Sequence, residues 1–328
     1  MIAQEIAEMP AVTSRRISFL ALTGAILGLL FVTGPIAIVF GWLGLRAVNR
    51  SDGRLAGAGL AIFGMIAGLI SVVLLGLGTV AIVLQTLREQ SNRVECVNNL
   101  RVIGLAVNAA ADQGRKTCPL AVLPLPERPP EEHLSWLAGL LPLMEPGDDS
   151  KPSVRQPVAA QLQLDQPWND PANLKAGTTK VRHFRCPSHG LFAPPDEPAL
   201  TDYVGITGIG ANAATLPATD PDAGFFGYDR IIRMEDVKAG ASCTFLALET
   251  TLDNGPWIAG GPPTARGVDA TEKEYIGIER PFGGSHRNGA IDILTAVYVD
   301  ASVQHLTSNV NPRVFRNAAR IAGDPEAK

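Results

Sequence analysis

Two histidines flank a cysteine at short spacing in His183-x2-Cys186-x2-His189. Thiolates and imidazoles are the groups zinc prefers, and Cys118 or His286 could complete a set of four. Zinc-binding segments usually come in pairs, however, and the sequence holds no second one. The expectation is therefore that no metal and no cofactor is bound, with His183, Cys186, His189 and His286 as the candidates should one be. Ser188 stands beside His189, but a nucleophile and its base are rarely adjacent in sequence, and there is no Gly-x-Ser-x-Gly turn. Gly205-x2-Gly208-x-Gly210 lacks the Lys-Ser/Thr element of a phosphate loop. Trp168 and Trp257 could stack on sugars, although burial is the commoner fate of tryptophan. Asp220, Asp222 and Asp229 do not have the spacing of a twelve-residue calcium loop. No catalytic residue emerges, and the chain is not expected to be an enzyme.

Cys96, Cys118, Cys186 and Cys243 all follow the apolar N-terminal region. An even number permits disulfides, in any of three pairings, if the segment carrying them is exported. In the cytosol all four would be thiols.

The elements that must position these groups begin with an unusual composition. The 328 residues are 46% hydrophobic and only 18% charged, against about 25% charged in an average soluble domain. The deficit is concentrated: no Asp, Glu, Lys or Arg occurs from Ile17 to Leu45 or from Leu55 to Leu87. A helix crosses a bilayer core with about 20 apolar residues, so each stretch predicts a membrane helix, the first running through Pro35. Small residues recur at four-residue spacing (Gly24 and Gly28, Gly57 and Ala61, Gly64 and Gly68), which lets helices approach closely. The first apolar run is far longer than the core of a cleaved signal peptide. The loop between the two carries Arg46, Arg50 and Arg54 against Asp52, and the positive-inside rule places it in the cytoplasm with both chain ends outside. Arg15, Arg16, Arg88 and Arg93 on the opposite side weigh against that orientation. The net charge of −4 argues against nucleic-acid binding.

After Leu87 the chain turns polar with no helix breaker until Gly104. Val94, Val97, Leu100, Ile103, Leu105 and Val107 fall near helical spacing, predicting one helix that leaves the membrane and ends near Gly114. Further on, Ser242–Glu249 and Ile291–Val299 read as buried strands, with Ser302–Leu306 returning antiparallel. Asp170-Pro171 opens a short helix, Glu131–Met144 is a second, and Asn311 caps a last one over Pro312–Ile321. The stretch from Pro119 to Gly224 is rich in Pro, Gly, Asp and Asn and reads mainly as loop.

Two resemblances sharpen this. Gly41 to Arg46, the basic Ser-Asp-Gly loop and Gly57 to Ile62 resemble a small two-helix bacterial membrane domain of unknown function, over roughly residues 15–85. More specifically, Cys96-Val97-Asn98-Asn99-Leu100-Arg101-Val102-Ile103-Gly104-Leu105-Ala106 resembles the Cys-x-Asn-Asn-Leu-Lys-x-Ile-Gly-Leu-Ala signature of the type II secretion G-like, pseudopilin-related family abundant in planctomycetes. Ser135-Trp136, Pro167-Trp168-Asn169, Phe184-Arg185-Cys186-Pro187-Ser188, Thr201-Asp202-Tyr203 and Gly224–Thr250 are similar to its later motifs, in the same order, covering roughly residues 96–321. Two features depart from that pattern. The family's Gly-Phe-Thr-Leu-Ile-Glu leader is replaced by the two-helix module, and the terminal His-x9-Asp-Gly element becomes His286 followed by Asp300-Ala301. Alanine accepts positive φ only at a cost, so a different turn is expected there. The resemblance implies a long helix on a small sheet.

The expected architecture is thus α+β: a tail (1–16), a transmembrane helical hairpin (17–87), and an extracytoplasmic pseudopilin-like domain (88–328). Its second membrane helix extends into a long helix packed on a small antiparallel sheet. The expected role is a non-enzymatic protein of a bacterial membrane whose partners are the lipid bilayer and other envelope proteins. The competing expectations are a membrane-tethered metal-binding protein or enzyme using His183, Cys186 and His189, and a carbohydrate-binding sensor.

Overall fold

The computed structural model describes residues 16–17, 19–28, 33–52, 54–113, 117–144, 157–190, 193–194 and 196–323. The chain divides into two compact units, residues 1–88 and 89–328. Most of the expected N-terminal tail lies outside the described residues.

In the first unit the apolar stretch through Pro35 is not one helix. It is divided into α1 (Phe19–Gly28) and α2 (Gly34–Asn49), with Pro35 in the first turn of α2. There its missing N–H costs nothing, because the first amides of a helix have no intrahelical acceptor. After the basic loop, α3 begins and runs without interruption from Ala58 to Gln113. Small residues let α2 and α3 touch. Gly34, Ala37, Gly41 and Gly44 are the buried positions of α2, and a side chain added at Gly41 would meet Met65 Cγ at 2.6 Å and the Ala61 carbonyl at 2.8 Å. On α3 the buried counterparts are Ala61, Gly64, Gly68 and Ser71. The Gly24 and Gly28 side of the expected pairing lies outside the described side chains. Of the described helices, α3 is the one long and apolar enough to span a membrane. Its large side chains from Val72 to Leu87 face outward, with Leu77 62% and Ile82 64% exposed.

The second unit is mixed α+β around a six-stranded, mostly antiparallel sheet. Its strands are β1 (Tyr203–Ile209), β2 (Phe245–Glu249), β3 (Ala265–Val268), β4 (His286–Asn288), β5 (Ile291–Tyr298) and β6 (Val303–Thr307). The order is β6-β5-β2-β1-β3, and β4 also pairs with β5. Only β3 runs parallel to its neighbour. One face is covered by the second half of α3, whose Leu100, Ile103 and Val107 are fully buried with Leu246, Ala247 and Val297 of the sheet. The other receives α6 (Pro312–Ala318), where Phe315 stacks on Tyr275 at 4.5 Å and packs against Phe245. With both faces covered, β1 and β2 are buried at every position, and β2 reads as an apolar run closed by Glu249.

The short helices lie between. Asp170 caps α5 (Pro171–Gly177) by accepting the Ala172 N–H. The helix expected over Glu131–Met144 is shorter: a 3-10 turn and an extended Leu134–Ser135 precede α4 (Trp136–Met144). Here Leu134 and Ser135 pair with Val122 and Leu123, and this ladder outweighs helix propensity. Asn311 caps α6 through Arg313 N, as its sequence suggests.

The turn after β5 corrects a reading of the sequence. Ala301 does take positive φ, +65°. The bond from Ala301 N to Tyr298 O (2.9 Å) closes the turn, and Asp300 Oδ1 accepts from Ser302 N and Oγ. The methyl group earns its strain by packing: Ala301 is buried directly over Gly104 of α3.

Candidate functional site

Four buried groups from four separate segments converge: the thiols of Cys96 and Cys186, the carboxylate of Glu249 and the imidazole of His286. One potential donor atom from each lies within 4.8 Å of the others. His286 Nε2 is 3.2 Å from Cys96 Sγ, 3.4 Å from Cys186 Sγ and 3.6 Å from Glu249 Oε1.

Each group is carried by an element whose local chemistry fixes it. Cys96 lies on the inward stripe of α3, one turn before Leu100, and the neighbouring Asn99 is buried as well. Asn99 Nδ2 donates to the Arg185 carbonyl at 2.9 Å, which ties the Cys186 loop to the helix. Cys186 follows a 3-10 turn at Arg182–Phe184, and its backbone N–H donates to Asp202 Oδ2 at 2.7 Å. Asp202 is fully buried and its other oxygen takes Arg185 at 3.2 Å, His189 Nδ1 at 2.6 Å and Asn254 Nδ2 at 2.9 Å. Glu249 ends β2, and His286 opens β4. Both strands pair with the same edge of β5, at Leu248–Ala296 and His286–Ile293, while β6 takes the other edge. That topology sets the carboxylate beside the imidazole.

A further layer orients these groups. His286 Nδ1 hydrogen-bonds Glu89 Oε1 at 2.7 Å, and the second Glu89 oxygen accepts from Ser188 Oγ at 2.7 Å. Arg93 pairs with Glu89 at 3.2 Å. Glu249 Oε2 accepts the Thr295 N–H at 3.3 Å. Its Oε1 is buried and makes no hydrogen bond among the described residues.

The electrostatics follow from burial and proximity. The Cys96 thiol is held below the usual range, chiefly by the hydrogen bond from Cys186. Cys186 is pushed far up by the same contact and by burial. Burial opposes the charge on His286, yet Cys96, Glu249 and Glu89 together raise it to about 9. Hydrogen bonds from His286 and Ser188 bring Glu89 down against its own desolvation.

Of the expected candidates, the structure brings Cys186 and His286 together and leaves the two nearer histidines elsewhere. His183 sits on the 3-10 turn and meets Asn99 Oδ1 at 3.1 Å. His189 is turned to Asp202, because that buried carboxylate is the stronger partner. Ser188 is bonded to Glu89 and has no catalytic arrangement with His189. Cys118 and Cys243 lie apart, the first buried and the second exposed, and all four cysteines are thiols. Burial raises Cys118 to about 12. Among the motif residues, Asn98 is exposed on α3. Trp136 donates to Thr264 O at 2.8 Å, Trp168 donates to Glu131 O at 2.7 Å, and Pro187 projects outward beyond Cys186. Asp300 belongs to the turn at the far end of β5 from His286, so the two do not meet. Trp257 is fully buried and cannot stack on a sugar. Asp222 pairs with Arg320 at 2.8 Å and Asp220 caps Asp222 N, which are structural roles. Sequence reasoning missed Glu249 and Glu89. A lone carboxylate closing the apolar run Phe245–Leu248 was the available signal, since buried acids are rare without a partner.

The four groups lie buried in an α+β unit, and among the described helices of the chain one is long and apolar enough to span a membrane. The chain belongs to the family described as a protein of unknown function, DUF1559, whose model matches residues 85–280. The matched region contains Glu89, Cys96, Cys186 and Glu249 and ends shortly before His286. No curated protein and no solved structure matched.

Proposed function

We propose that this is a non-enzymatic, membrane-anchored envelope protein, with the unit from Glu89 onward outside the cytoplasm and acting through contact with other envelope proteins. The observation that carries the anchoring is the change of character along α3. Its first thirty or so residues present large apolar side chains outward, whereas Leu100, Ile103 and Val107 are buried in a protein core. One continuous helix therefore suits two solvents, hydrocarbon and then protein, and an apolar surface of that length is costly in water. The close α2–α3 packing supports a transmembrane hairpin, and the long helix lying on an antiparallel sheet supports the pseudopilin relationship. The non-catalytic reading is supported by the sealed state of the Cys96–His286 cluster. The described cavities of about 380 and 340 Å³ lie elsewhere, one lined by Glu274, Arg280, Asp292 and neighbours and one by Trp42, Arg46 and Arg50.

The protein is expected to stay with membranes through high-salt and alkaline washing and to need detergent for release. Protease added to cells with a permeabilised outer membrane should remove the C-terminal unit. A protein recovered in the wash, or a C-terminal unit protected from protease, would contradict the anchor or the orientation respectively.

A further inference from the structure

We infer that Cys96, Cys186, Glu249 and His286 form a structural zinc site. The donor set is one zinc accepts: two thiolates, one imidazole nitrogen and one carboxylate oxygen. The spacing agrees as well. Tetrahedral zinc with ordinary bond lengths places its nitrogen about 3.5 Å from a sulfur and about 3.4 Å from an oxygen. His286 Nε2 is 3.2 and 3.4 Å from the two sulfurs and 3.6 Å from Glu249 Oε1.

Two independent features point to a ligand at the centre of the cluster. The first is Glu249 Oε1, fully buried and without a hydrogen bond among the described residues. A buried carboxylate oxygen with no hydrogen bond, whose nearest cationic partner is the His286 imidazole at 3.6 Å, is poorly compensated, and a metal cation facing it removes that cost. The second is the Glu89 contact on the opposite nitrogen of His286. A carboxylate accepting from Nδ1 fixes the tautomer that leaves Nε2 free as a donor to metal, an arrangement that accompanies zinc-bound histidines. A Cys96–Cys186 disulfide would account for two of the four groups and would leave Glu249 Oε1 without a hydrogen bond, facing only the His286 imidazole. A divalent cation accounts for all four.

Zinc binding displaces the protons still held by the two thiols and by His286 Nε2 into solvent, with no redox step. Two thiolates and a carboxylate then face the dication, so one net negative charge remains in the core. The Glu89–Arg93 pair and the Ser188 hydroxyl lie at the edge of the site. With four protein ligands, all buried, no coordination position is left for substrate, which is the pattern of a structural rather than a catalytic centre. The site would join α3, the Cys186 loop, β2 and β4, segments far apart in sequence.

The test uses the full chain, purified in detergent without reductant or added metal. One zinc per chain by elemental analysis, with Cys96 and Cys186 protected from alkylation until a chelator is added, is the expected result. Exchange with cobalt should give thiolate-to-cobalt charge-transfer bands and the intense visible bands of a tetrahedral site. These wild-type measurements do not depend on a variant folding. Glu89→Gln should keep the stoichiometry while weakening zinc about 10- to 100-fold. Cys186→Ser and His286→Ala should lose it, and Cys243→Ser and His183→Ala should retain it. Finding no zinc, a Cys96–Cys186 disulfide by peptide mapping, or zinc retained by a Cys96→Ser, Cys186→Ser double variant would overturn the assignment. Membrane retention is read separately, so failure of either proposal leaves the other standing.

Discussion

Asp202 is the residue on which the Cys186 loop depends. It is fully buried, yet it takes the Cys186 backbone N–H, Arg185, His189 and Asn254 on its two oxygens. Removing one partner of a buried ion pair costs about 3–5 kcal/mol, because the other charge is left in the core. Asp202→Asn keeps the shape and some hydrogen bonding, so the loss should fall near the low end, about 3 kcal/mol. Denaturant unfolding followed by Trp fluorescence would report it, since Trp136 and Trp257 are both buried in this unit. An unchanged midpoint would mean that Arg185 and His189 are solvated instead. At this scale the sequence was only half legible. Cys186 and His286 stood out as ligating residue types, but local spacing favoured His183 and His189. Spacing reports local proximity, and the actual neighbours come from α3, a strand end and a strand start. Asp202 had no signature at all, because its four partners are set by the tertiary fold.

Among the elements, the contact between α3 and the β5–β6 turn turns on two small residues. A methyl group added at Gly104 would lie 2.9 Å from both Ala301 Cβ and Val297 Cγ2 and 3.0 Å from Ala301 Cα. Alanine in place of glycine gains about 1 kcal/mol of helix propensity, whereas forcing a methyl into a filled contact costs about 1–3 kcal/mol. The backbone atom among those neighbours favours the larger cost, so Gly104→Ala should destabilise by about 1 kcal/mol net. Adding Ala301→Gly should recover part of that loss, by removing one clash and by relieving the positive φ of Ala301, worth about 1–2 kcal/mol. Thermal melts of the two single variants and the double variant would show this coupling, and strict additivity would refute it. β2, β5, β6 and the capped helices α5 and α6 were readable from apolar runs and caps. β1 was not: Gly205 and Gly208 interrupt its apolar pattern, and it lies within a stretch whose Pro and Gly content reads as loop. Its glycines serve packing. A side chain at Gly205 would meet Phe226 at 2.7 Å, and Gly208 lies against the Asp222 carbonyl at positive φ. β3 and β4, at three or four residues each, are too short for periodicity to register.

For the whole molecule, the arginines of the α2–α3 loop and a native cysteine together make the orientation measurable. Arg46, Arg50 and Arg54 flank or form the loop, and Arg46 lies over the Trp42 ring at 5.3 Å. That places a cation and an aromatic side by side at one end of α2, as in residues that settle at a membrane interface. If this loop is cytoplasmic, the unit beginning at Glu89 lies on the other side, because only α3 separates the two. Cys243 is the exposed cysteine, whereas Cys96, Cys118 and Cys186 are buried, so it serves as a reporter without engineering. A membrane-impermeant maleimide should label the protein in cells with a permeabilised outer membrane, and Cys243→Ser should abolish the label. Replacing all three loop arginines with Gln removes the charge that, in the proposed orientation, holds the loop inside, while Arg15, Arg16, Arg88 and Arg93 are kept. The positive-inside rule then favours inversion, and labelling of cells with a permeabilised outer membrane should fall while labelling of lysates is unchanged. Equal labelling of the triple variant and the parent would show that the domain's own export, and not the arginine balance, sets the topology.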